Sequence, residues 1–270
     1  FFNLIAAAMM MGTHAEMPVH ETFRLKTGMM QELLTKGIGH EQFKSIPRWL
    51  VGKIAEIDEI PCSWELMNIL SVAKLESGHT PSRHIPKYWN GDIPWVSLHD
   101  TKQLGVREIF KTNLYVTQNG LDNSSARLLP AGTIAFSRTA SVGHCVIFGK
   151  AMATSQDFAN FICGPSLSNR YLLHLFKWMQ HVWKNLAEGS THQTIYMPVF
   201  KKLEILVPPL SEQILIAAAA DKIDDQILVI EPKLLFYKNL KKALMQDLLT
   251  GKVRVKITPH ESPTQTILRS

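Results

Sequence analysis

The sequence predicts an α+β protein in which a domain of mixed short strands and helices is followed by one long, coiled-coil-forming helix. Several short apolar segments are bounded by Gly, Pro or Asp, as strands commonly are. A stripe of apolar residues at helical spacing marks Ser168–Leu186, and a heptad of apolar residues runs through Ser211–Leu249. With 270 residues, 46% of them hydrophobic and 19% charged, the chain can bury a sizeable core and is not of the disordered class.

The middle of the chain alternates between strand and helix signals. The predicted strands, in chain order, are Ile93–Leu98, Thr133–Phe136, Cys145–Phe148 and Glu204–Val207. Turn residues separate them, as at Asn90-Gly91-Asp92 and Pro130-Ala131-Gly132. The helix predicted over Ser168–Leu186 collects its large apolar residues on one side. Together these elements predict one mixed domain over residues 60–210.

A long helix is the strongest single prediction. Two prolines precede Ser211, and Glu212 follows in the first turn, as at many helix starts. At about 1.5 Å per residue the helix would be roughly 60 Å long, and Pro232 is expected to kink it. An apolar heptad favours a helix–helix interface, with packing on the chain's own domain as the alternative. The residues predicted for this interface are Ile223, Ile227, Ile230, Leu234, Tyr237, Leu244 and Leu248.

An internal repeat connects the two ends of the chain. The stretch beginning LKTGMMQELLTKG at Leu25 returns as LKKALMQDLLTGK at Leu240, 215 residues later, and both copies end in Gly beside Lys. We interpret this as the trace of a duplicated unit of domain plus helix, with one whole copy and the tail of another. The predicted division is an undetermined leader (1–22), a remnant of a first helix (23–40), a linker (41–59), the mixed domain (60–210), the long helix (211–252) and a C-terminal tail (253–270).

The charge and the cysteines indicate the kind of partner and the cellular compartment of the protein. The 29 basic residues exceed the 23 acidic ones and give a net charge of +6, which suits a polyanionic partner such as nucleic acid. Cys62, Cys145 and Cys163 form no CxxC pair, and their odd number disfavours a disulfide framework. The longest apolar runs are far shorter than a membrane span. We therefore expect a cytoplasmic protein with no membrane segment.

Several motifs, in the correct order, resemble the DNA-specificity subunit of type I restriction–modification enzymes. The opening of a target recognition domain is matched by Ile60-Pro61, Trp64-Glu65, Glu76–Arg83 and Pro86–Val96. Later matches are Gly132–Arg138, Ala153–Gln156, Leu206–Gln213 and Leu248–Val255. The resemblance covers about Phe23 to Ile257, nearly the whole chain.

The resemblance implies a function in choosing DNA sites. In this family two target recognition domains alternate with two long helices, which pair antiparallel and space two DNA half-sites. The subunit is not catalytic: modification subunits methylate adenine with S-adenosylmethionine, and restriction subunits cut DNA with ATP and magnesium. The resemblance therefore implies double-stranded DNA, modification subunits and a restriction subunit as partners, and no cofactor bound by this chain. Because only residues 60–210 form a complete recognition domain, we expect one half-site reader and, if the chain works alone, a homodimer through the long helix.

A search for catalytic motifs gives only near misses. The run Val207-Pro208-Pro209-Leu210 lacks the flanking residues of an adenine-methyltransferase loop. Gly143 and Gly149-Lys150-Ala151 are separated by five residues and lack the Ser or Thr of a nucleotide-binding loop. The pairs His79/His84 and His174/His181 lack a third ligand. We expect neither catalytic residues nor a metal site.

The candidate DNA contacts fall into two chemical groups. Basic side chains are suited to phosphate, because they release counterions; these are Arg83, Lys87, Arg138, Lys201 and Lys202. Polar side chains in loops are suited to base edges; these are Ser77, Thr80, Ser137, Thr139, Ser190, His192, Gln193 and Thr194. The alternative for each is a solvated surface residue. Tyr88, Trp89 and Trp95 could stack on the nucleic acid, and the alternative for these three, which is more common for aromatics beside strands, is a place in the core.

Three rival interpretations stay open at the level of sequence. The chain could be an inactive gene fragment with the same fold, as its start at Phe1 and the short first helix suggest. A coiled-coil assembly protein that does not touch DNA is a second. An ATP-binding enzyme built on Gly143–Lys150 is the third.

Overall fold

A computed structural model describes residues 24–46, 57–103, 106–187, 194–250 and 252. They divide into two compact units. The larger unit is Gly28–Asp221, and the smaller unit combines Phe1–Thr27 with Lys222–Ser270. Within the described residues, no helix combines the length and the hydropathy that a membrane span requires.

Short elements make up most of the larger unit. The strands are β1 (Phe43–Ser45), β2 (Glu59–Pro61), β3 (Glu65–Asn68), β4 (Ala73–Ser77), β5 (Trp89–Val96), β6 (Glu108–Ile109), β7 (Leu114–Val116), β8 (Ile134–Ser137), β9 (Cys145–Phe148), β10 (Ala153–Thr154), β11 (Phe158–Cys163) and β12 (Glu204–Val207). The helices are α1 (24–35), α2 (Ile69–Val72), α3 (Gln118–Asp122), α4 (Asn169–Trp178), α5 (Gln180–Ala187), α6 (Met197–Lys201) and α7 (Leu210–Leu249), with 3-10 helices at Pro86–Tyr88 and Leu98–Gln103. Helices α1 and α7 each extend from one unit into the other.

The strands form one main sheet and three smaller sheets. The main sheet has the order β4-β11-β8-β9-β6, antiparallel except for the parallel pair β6 and β9. A three-stranded sheet has the order β10-β5-β7, with β10 parallel to β5. The antiparallel ribbons β1-β2 and β12-β3 complete the set. This mixture of short strands and helices confirms the predicted α+β class.

The main core lies between the central strands and the helices that follow them. All four residues of β8 and of β9 are buried. The ring of Phe136 meets those of Phe176, Trp183 and Phe200 edge to face, at centroid distances of 5.5, 5.0 and 5.3 Å. Edge-to-face aromatic pairs add to the gain from burial. This cluster fixes α4, α5 and α6 against the sheet.

The observed strands agree closely with the predicted ones. Strands β9 and β12 have the predicted bounds, and β8 is shifted by one residue from the prediction of Thr133–Phe136. The prediction of Ile93–Leu98 is partly wrong, because β5 runs over Trp89–Val96 and Leu98 begins a 3-10 helix. The reason is Asp100, whose carboxylate accepts the backbone N–H of Ser97 at 2.9 Å and turns the chain there.

The helix predicted over Ser168–Leu186 is interrupted. Ser168 caps α4 by accepting the backbone N–H of Tyr171, the helix ends at Trp178, and α5 begins at Gln180 after the C-cap Met179. Past this break the indole N–H of Trp183 donates to the carbonyl of Phe176 at 2.8 Å. The apolar spacing is continuous across this break, and residues of both helices enter the aromatic cluster.

The two ends of the chain contain the predicted helices. Helix α1 covers 24–35, within the predicted remnant at 23–40, and α7 begins one residue before the predicted Ser211. Pro232 lies inside α7 without ending it. The segment predicted as a linker, 41–59, contains β1, which pairs with β2.

Buried polar contacts hold the first turn of α7 in the larger unit. The carboxylate of Glu212 accepts the indole N–H of Trp64 at 3.0 Å, the backbone N–H of Ile38 at 2.9 Å, and contacts Nε2 of His40 at 2.8 Å. Gly37 has φ +69°, and a Cβ there would lie 2.3 Å from Glu212 Oε1. The site therefore requires glycine.

Gln213 and Asp221 hold the next turns. The fully buried Gln213 amide donates to the carbonyls of Ser166 and Pro208, and its oxygen accepts the N–H of Ser168. Asp221 contacts Arg107, Arg170 and His174, each at 2.8 to 2.9 Å. Burial raises the pKa of Asp221, but the hydrogen bond from His174 and the charges of His174, Arg107 and Arg170 lower it overall.

All seven residues of the predicted helix–helix interface belong to the smaller unit. Within it, Lys26 forms an ion pair with Asp224. Ile223 and Ile227 are buried and Ile230 is half-buried, whereas Tyr237 and Leu244 are exposed. The side chains of Leu234 and Leu248 lie outside the described part of the chain. The coiled coil itself stays a prediction.

Candidate nucleic-acid interface

Four loops of the larger unit converge at one end of the main sheet. They are residues 78–83 after β4, 138–144 after β8, 155–157 after β10, and 194–196 before α6; we call them the loop platform. Backbone hydrogen bonds join them: the N–H of His79 donates to Thr154, that of Arg138 to Asp157, and that of Ile195 to Arg138, each at 2.9 Å. The sheet pairing thus places loops far apart in the sequence side by side.

Arg138 lies at the centre of the loop platform. Its Nε donates to the carbonyl of Gln156 at 2.9 Å, and its Nη1 to the carbonyl of Ile195 at 3.4 Å. The residue is half-buried. The side chain of Arg138, predicted to bind phosphate, therefore already forms hydrogen bonds with two neighbouring loops.

Asp157 organises the hydroxyl groups beneath the surface. Thr139 Oγ1 donates to one of its carboxylate oxygens at 2.9 Å, and Ser155 Oγ to the other at 2.8 Å. Ser137 is fully buried, and its hydroxyl donates to the carbonyl of Thr139 at 3.0 Å. The structure thus places Ser137, predicted to read a base edge, in the interior of the platform; Thr139 is half-buried with a carboxylate partner.

Thr80 and Gln156 lie at the surface of the platform. The hydroxyl of Thr80 donates to the side-chain oxygen of Gln156, and Gln156 is exposed. Sequence reasoning identified Thr80 but not Gln156, which was used only as part of a family motif. A primary amide carries both a donor and an acceptor, so Gln156 offers a paired hydrogen-bonding group.

Two tryptophans support Arg83. The exposed guanidinium lies 5.7 Å from the ring centroid of Trp89 and 6.0 Å from that of Trp95, and the two rings meet edge to face at 5.1 Å. The indole N–H groups donate to the carbonyls of Ser82 and His79, each at 3.1 Å. Trp95 is buried, as the core alternative expects.

The other predicted contacts are spread along the larger unit. Lys87 is exposed beside Tyr88, and Lys201 and Lys202 are exposed at the end of α6. Ser77 is exposed, and it lines an open groove beside β4 together with Lys201. Thr194 is half-buried in the platform. Ser190, His192 and Gln193 lie outside the described residues.

Tyr196 is a further residue that the sequence reasoning missed. It directly follows buried Ile195, and 60% of its surface is exposed. A tyrosine carries a flat apolar ring and a hydroxyl, which suits contact with a base or sugar. Its position just after the polar loop Gly189–Thr194 was the available signal. Among the residues that the structure describes, no three His, Cys, Asp or Glu side chains are grouped as a metal site would require.

Solved structures share this fold. One match is a chain from a structure described as the basis of complex assembly and conformational transition of the type I R-M system, with a TM-score of 0.66, 17% identity, and coverage of 91% of this chain and 56% of that chain. Another is the HsdS subunit from Thermoanaerobacter tengcongensis, with a TM-score of 0.60, 16% identity, and coverage of 93% and 56%. These matches define an α+β fold with a long C-terminal helix.

The family follows from the sequence. Residues 61–252 match the model of the type I restriction modification DNA specificity domain, and the chain belongs to this family. The resemblance inferred from the motifs is thereby confirmed.

Curated relatives carry consistent names. The chain is 32% identical over 177 residues to the type I restriction enzyme MjaIX specificity subunit of Methanocaldococcus jannaschii, covering 65% of this chain and 41% of that protein. It is 28% identical over 160 residues to the EcoR124I/EcoR124II specificity subunit of Escherichia coli, covering 57% and 39%. The chain spans about half the length, or less, of the curated relatives it matches.

Proposed function

We propose that this chain is a non-catalytic DNA-specificity subunit that reads one half-site of double-stranded DNA for a type I restriction–modification complex. The match of residues 61–252 to the specificity-domain family carries the proposal. The loop platform supports it, because four loops present polar and basic side chains together at one end of the sheet.

Recognition would divide between two kinds of contact. Basic side chains such as Arg83, Lys87, Lys201 and Lys202 would bind phosphates and hold the register on the duplex. Polar groups such as Thr80 and Gln156 would form hydrogen bonds with base edges. The site itself would perform no chemistry: its task is to place DNA for other subunits.

Helix α7 would serve as spacer and docking element. Large apolar side chains beyond Ile227 are exposed; they are Leu228, Val229, Leu235, Phe236, Tyr237, Leu240, Leu244 and Leu249. So many exposed apolar side chains on one helix are typical of an interaction surface. We propose that a second long helix covers it, from another copy of this chain in antiparallel pairing or from another specificity chain.

The remaining partners follow from the family. Modification subunits would carry S-adenosylmethionine and methylate adenine, and a restriction subunit would use ATP and magnesium. We propose that this chain binds none of these cofactors itself. Since its substrate is DNA, we place the complex in the cytoplasm.

Co-expression with the modification subunit encoded beside it tests this function. Host DNA is sequenced for methylated adenines, and a strain with the modification subunit alone is the control. A symmetric, interrupted motif means a dimer of half-site readers, and an asymmetric motif means that a different recognition domain completes the site. The absence of new methylation, with the folded chain present, contradicts the proposal and favours an inactive fragment.

A second candidate function is a coiled-coil assembly protein that does not touch DNA. The exposed apolar side chains of α7 favour it independently of the loop platform. Binding to duplex DNA distinguishes the two, because phosphate contacts make affinity fall steeply with salt. Self-association without salt-dependent DNA binding would support the assembly protein.

A further inference from the structure

We propose that Arg138 is a positioning residue and not a phosphate contact: it holds two loops of the DNA interface so that Gln156 and Tyr196 reach the duplex together. The inference rests on the proposed function and assigns a role within the same site. It replaces the phosphate role that residue type alone suggests for Arg138.

Two nitrogens of the Arg138 guanidinium donate to backbone carbonyls of the flanking loops. Its Nε donates to the carbonyl of Gln156 at 2.9 Å and its Nη1 to that of Ile195 at 3.4 Å. The backbone of the same residue bonds to Asp157 through its N–H and to Ile195 through its carbonyl. Residue 138 therefore contacts both flanking loops through its side chain and its main chain. A planar guanidinium fits this task, because its donors have a fixed geometry.

The two loops held by Arg138 present exposed side chains. The backbone carbonyl of Gln156 accepts one of the Arg138 bonds. Its side chain is exposed, and the side-chain amide contacts Thr80. Tyr196 follows the other bound carbonyl and is 60% exposed. The amide matches the donor and acceptor pair of adenine in the major groove, and the tyrosine ring can pack against a base or sugar. Their separation on the surface depends on the clamp between them.

Two substitutions at one position separate positioning from phosphate binding. Arg138→Ala removes the charge and the two side-chain bonds of the clamp but keeps its backbone bonds, whereas Arg138→Lys keeps the charge but not the two-donor fork. Lys184→Ala is the control, since it removes one exposed positive charge on α5, outside the loop platform. The wild-type full chain first selects a duplex from a library with a randomised centre. Affinities for the selected duplex and a scrambled one are then measured across a potassium chloride series.

The positioning role predicts a specific pattern. Both Arg138 variants lose about tenfold in affinity for the selected duplex, a loss comparable to one mismatched base pair. Their affinity for the scrambled duplex stays within about twofold of the wild type. The salt slope, which is the slope of log affinity against log salt concentration, is unchanged. A direct phosphate contact gives the opposite: Arg138→Ala lowers the slope by about 0.9 and Arg138→Lys restores binding. That result would overturn the proposal.

Hydrogen exchange tests the clamp without DNA. In Arg138→Ala we expect amides in 155–157 and 194–196 to exchange about fivefold faster or more, with β9 and β11 unchanged. Unchanged exchange in both loops would overturn the clamp. If the wild-type chain selects no duplex, the proposed function fails, and the exchange result alone decides whether Arg138 holds the loops.

Discussion

The indole N–H of Trp64 donates to the carboxylate of Glu212 at 3.0 Å, and both side chains are buried. Trp64 lies between β2 and β3, whereas Glu212 is in the first turn of α7. The same carboxylate accepts the N–H of Ile38, just after α1. One acidic group therefore connects three segments that are distant in the sequence.

Glu212→Gln is expected to destabilise the larger unit. The substitution replaces one acceptor oxygen by an NH₂ group facing a donor, so a buried N–H loses its partner at a cost of about 1–3 kcal/mol. The measurement is the free energy of unfolding in urea. Glu41→Gln, at an exposed position, is the matched control and should change it by less than about 0.5 kcal/mol. Equal stability of the two variants would contradict the anchoring role of Glu212.

Gly37→Ala tests the close approach beside this carboxylate. A Cβ at Gly37 would lie 2.3 Å from Glu212 Oε1 and 2.8 Å from a ring carbon of Trp64. Gly39 has nearly the same φ, +70° against +69°, with no described atom within 4 Å of its Cβ. Both alanine variants carry the backbone strain of about 1 kcal/mol. Any further loss of stability in Gly37→Ala therefore measures the cost of the steric clash with Glu212 and Trp64. Equal melting temperatures for the two variants would show that the pocket adapts.

The ion pairs of Asp221 predict loss of stability in acid. Its pKa in the folded protein lies below the ordinary 3.8, so its contribution is present above that value and is lost as the pH falls through the folded pKa. Asp221→Asn should destabilise the protein at neutral pH, and the difference from the wild type should shrink below about pH 4. Urea unfolding between about pH 3 and 7 measures this. Asp92→Asn is the exposed control, and a pH-independent difference for Asp221→Asn would contradict the linkage.

Arg83 is expected to contact phosphate directly. Its guanidinium is exposed over Trp89, in contrast to the engaged donors of Arg138. Arg83→Ala should weaken binding to all duplexes alike and lower the magnitude of the salt slope by about 0.9. Fluorescence anisotropy over a salt series gives both quantities, with Lys184→Ala as the control. Loss of sequence preference at an unchanged slope would instead make Arg83 a base-reading residue.

Leu244→Glu is expected to disrupt the association of α7 with its partner helix. Leu244 is exposed within the predicted interface, so the substitution should leave the fold of the chain intact while placing a charge on the apolar face. Sedimentation of the purified chain, and co-purification with the modification subunit, measure the loss. Gln226→Glu adds a charge at an exposed position outside the predicted interface. Equal association of both variants would exclude this face.

Elements with strong local signals could be predicted from the sequence. The apolar runs of β9 and β12 are flanked by turn residues, so their bounds are encoded locally. Strands β6 and β10 have two residues each, and such strands leave no periodic pattern. The break at Met179 carries no Gly or Pro, so no local signal marks it, and the ring pair Phe176–Trp183 spans it. Tertiary contacts therefore decide the elements that the sequence pattern misses.

The candidate site was predictable by residue type but not by role. Thr80, Arg83, Arg138 and Thr139 do lie in the converging loops. Ser137 is polar and follows an apolar strand, yet the sheet is covered on both faces and buries it. The engagement of Arg138 depends on carbonyls 18 and 57 residues away. Such contacts follow from sheet pairing, which a single sequence does not encode in any local motif.

The contacts of Glu212 set the limits within which recognition domains can be exchanged between proteins. A graft starting at residue 60, where the motifs begin, would keep Trp64 and Glu212 but omit Ile38 and His40. The host sequence would then have to supply the groups that contact the buried carboxylate of Glu212 in place of Ile38 and His40. A transplanted segment that begins before residue 38 and continues through Asp221 contains Glu212 together with all three of these hydrogen-bonding partners. Chimeras that preserve this stretch as one piece should retain the loop geometry of the donor protein.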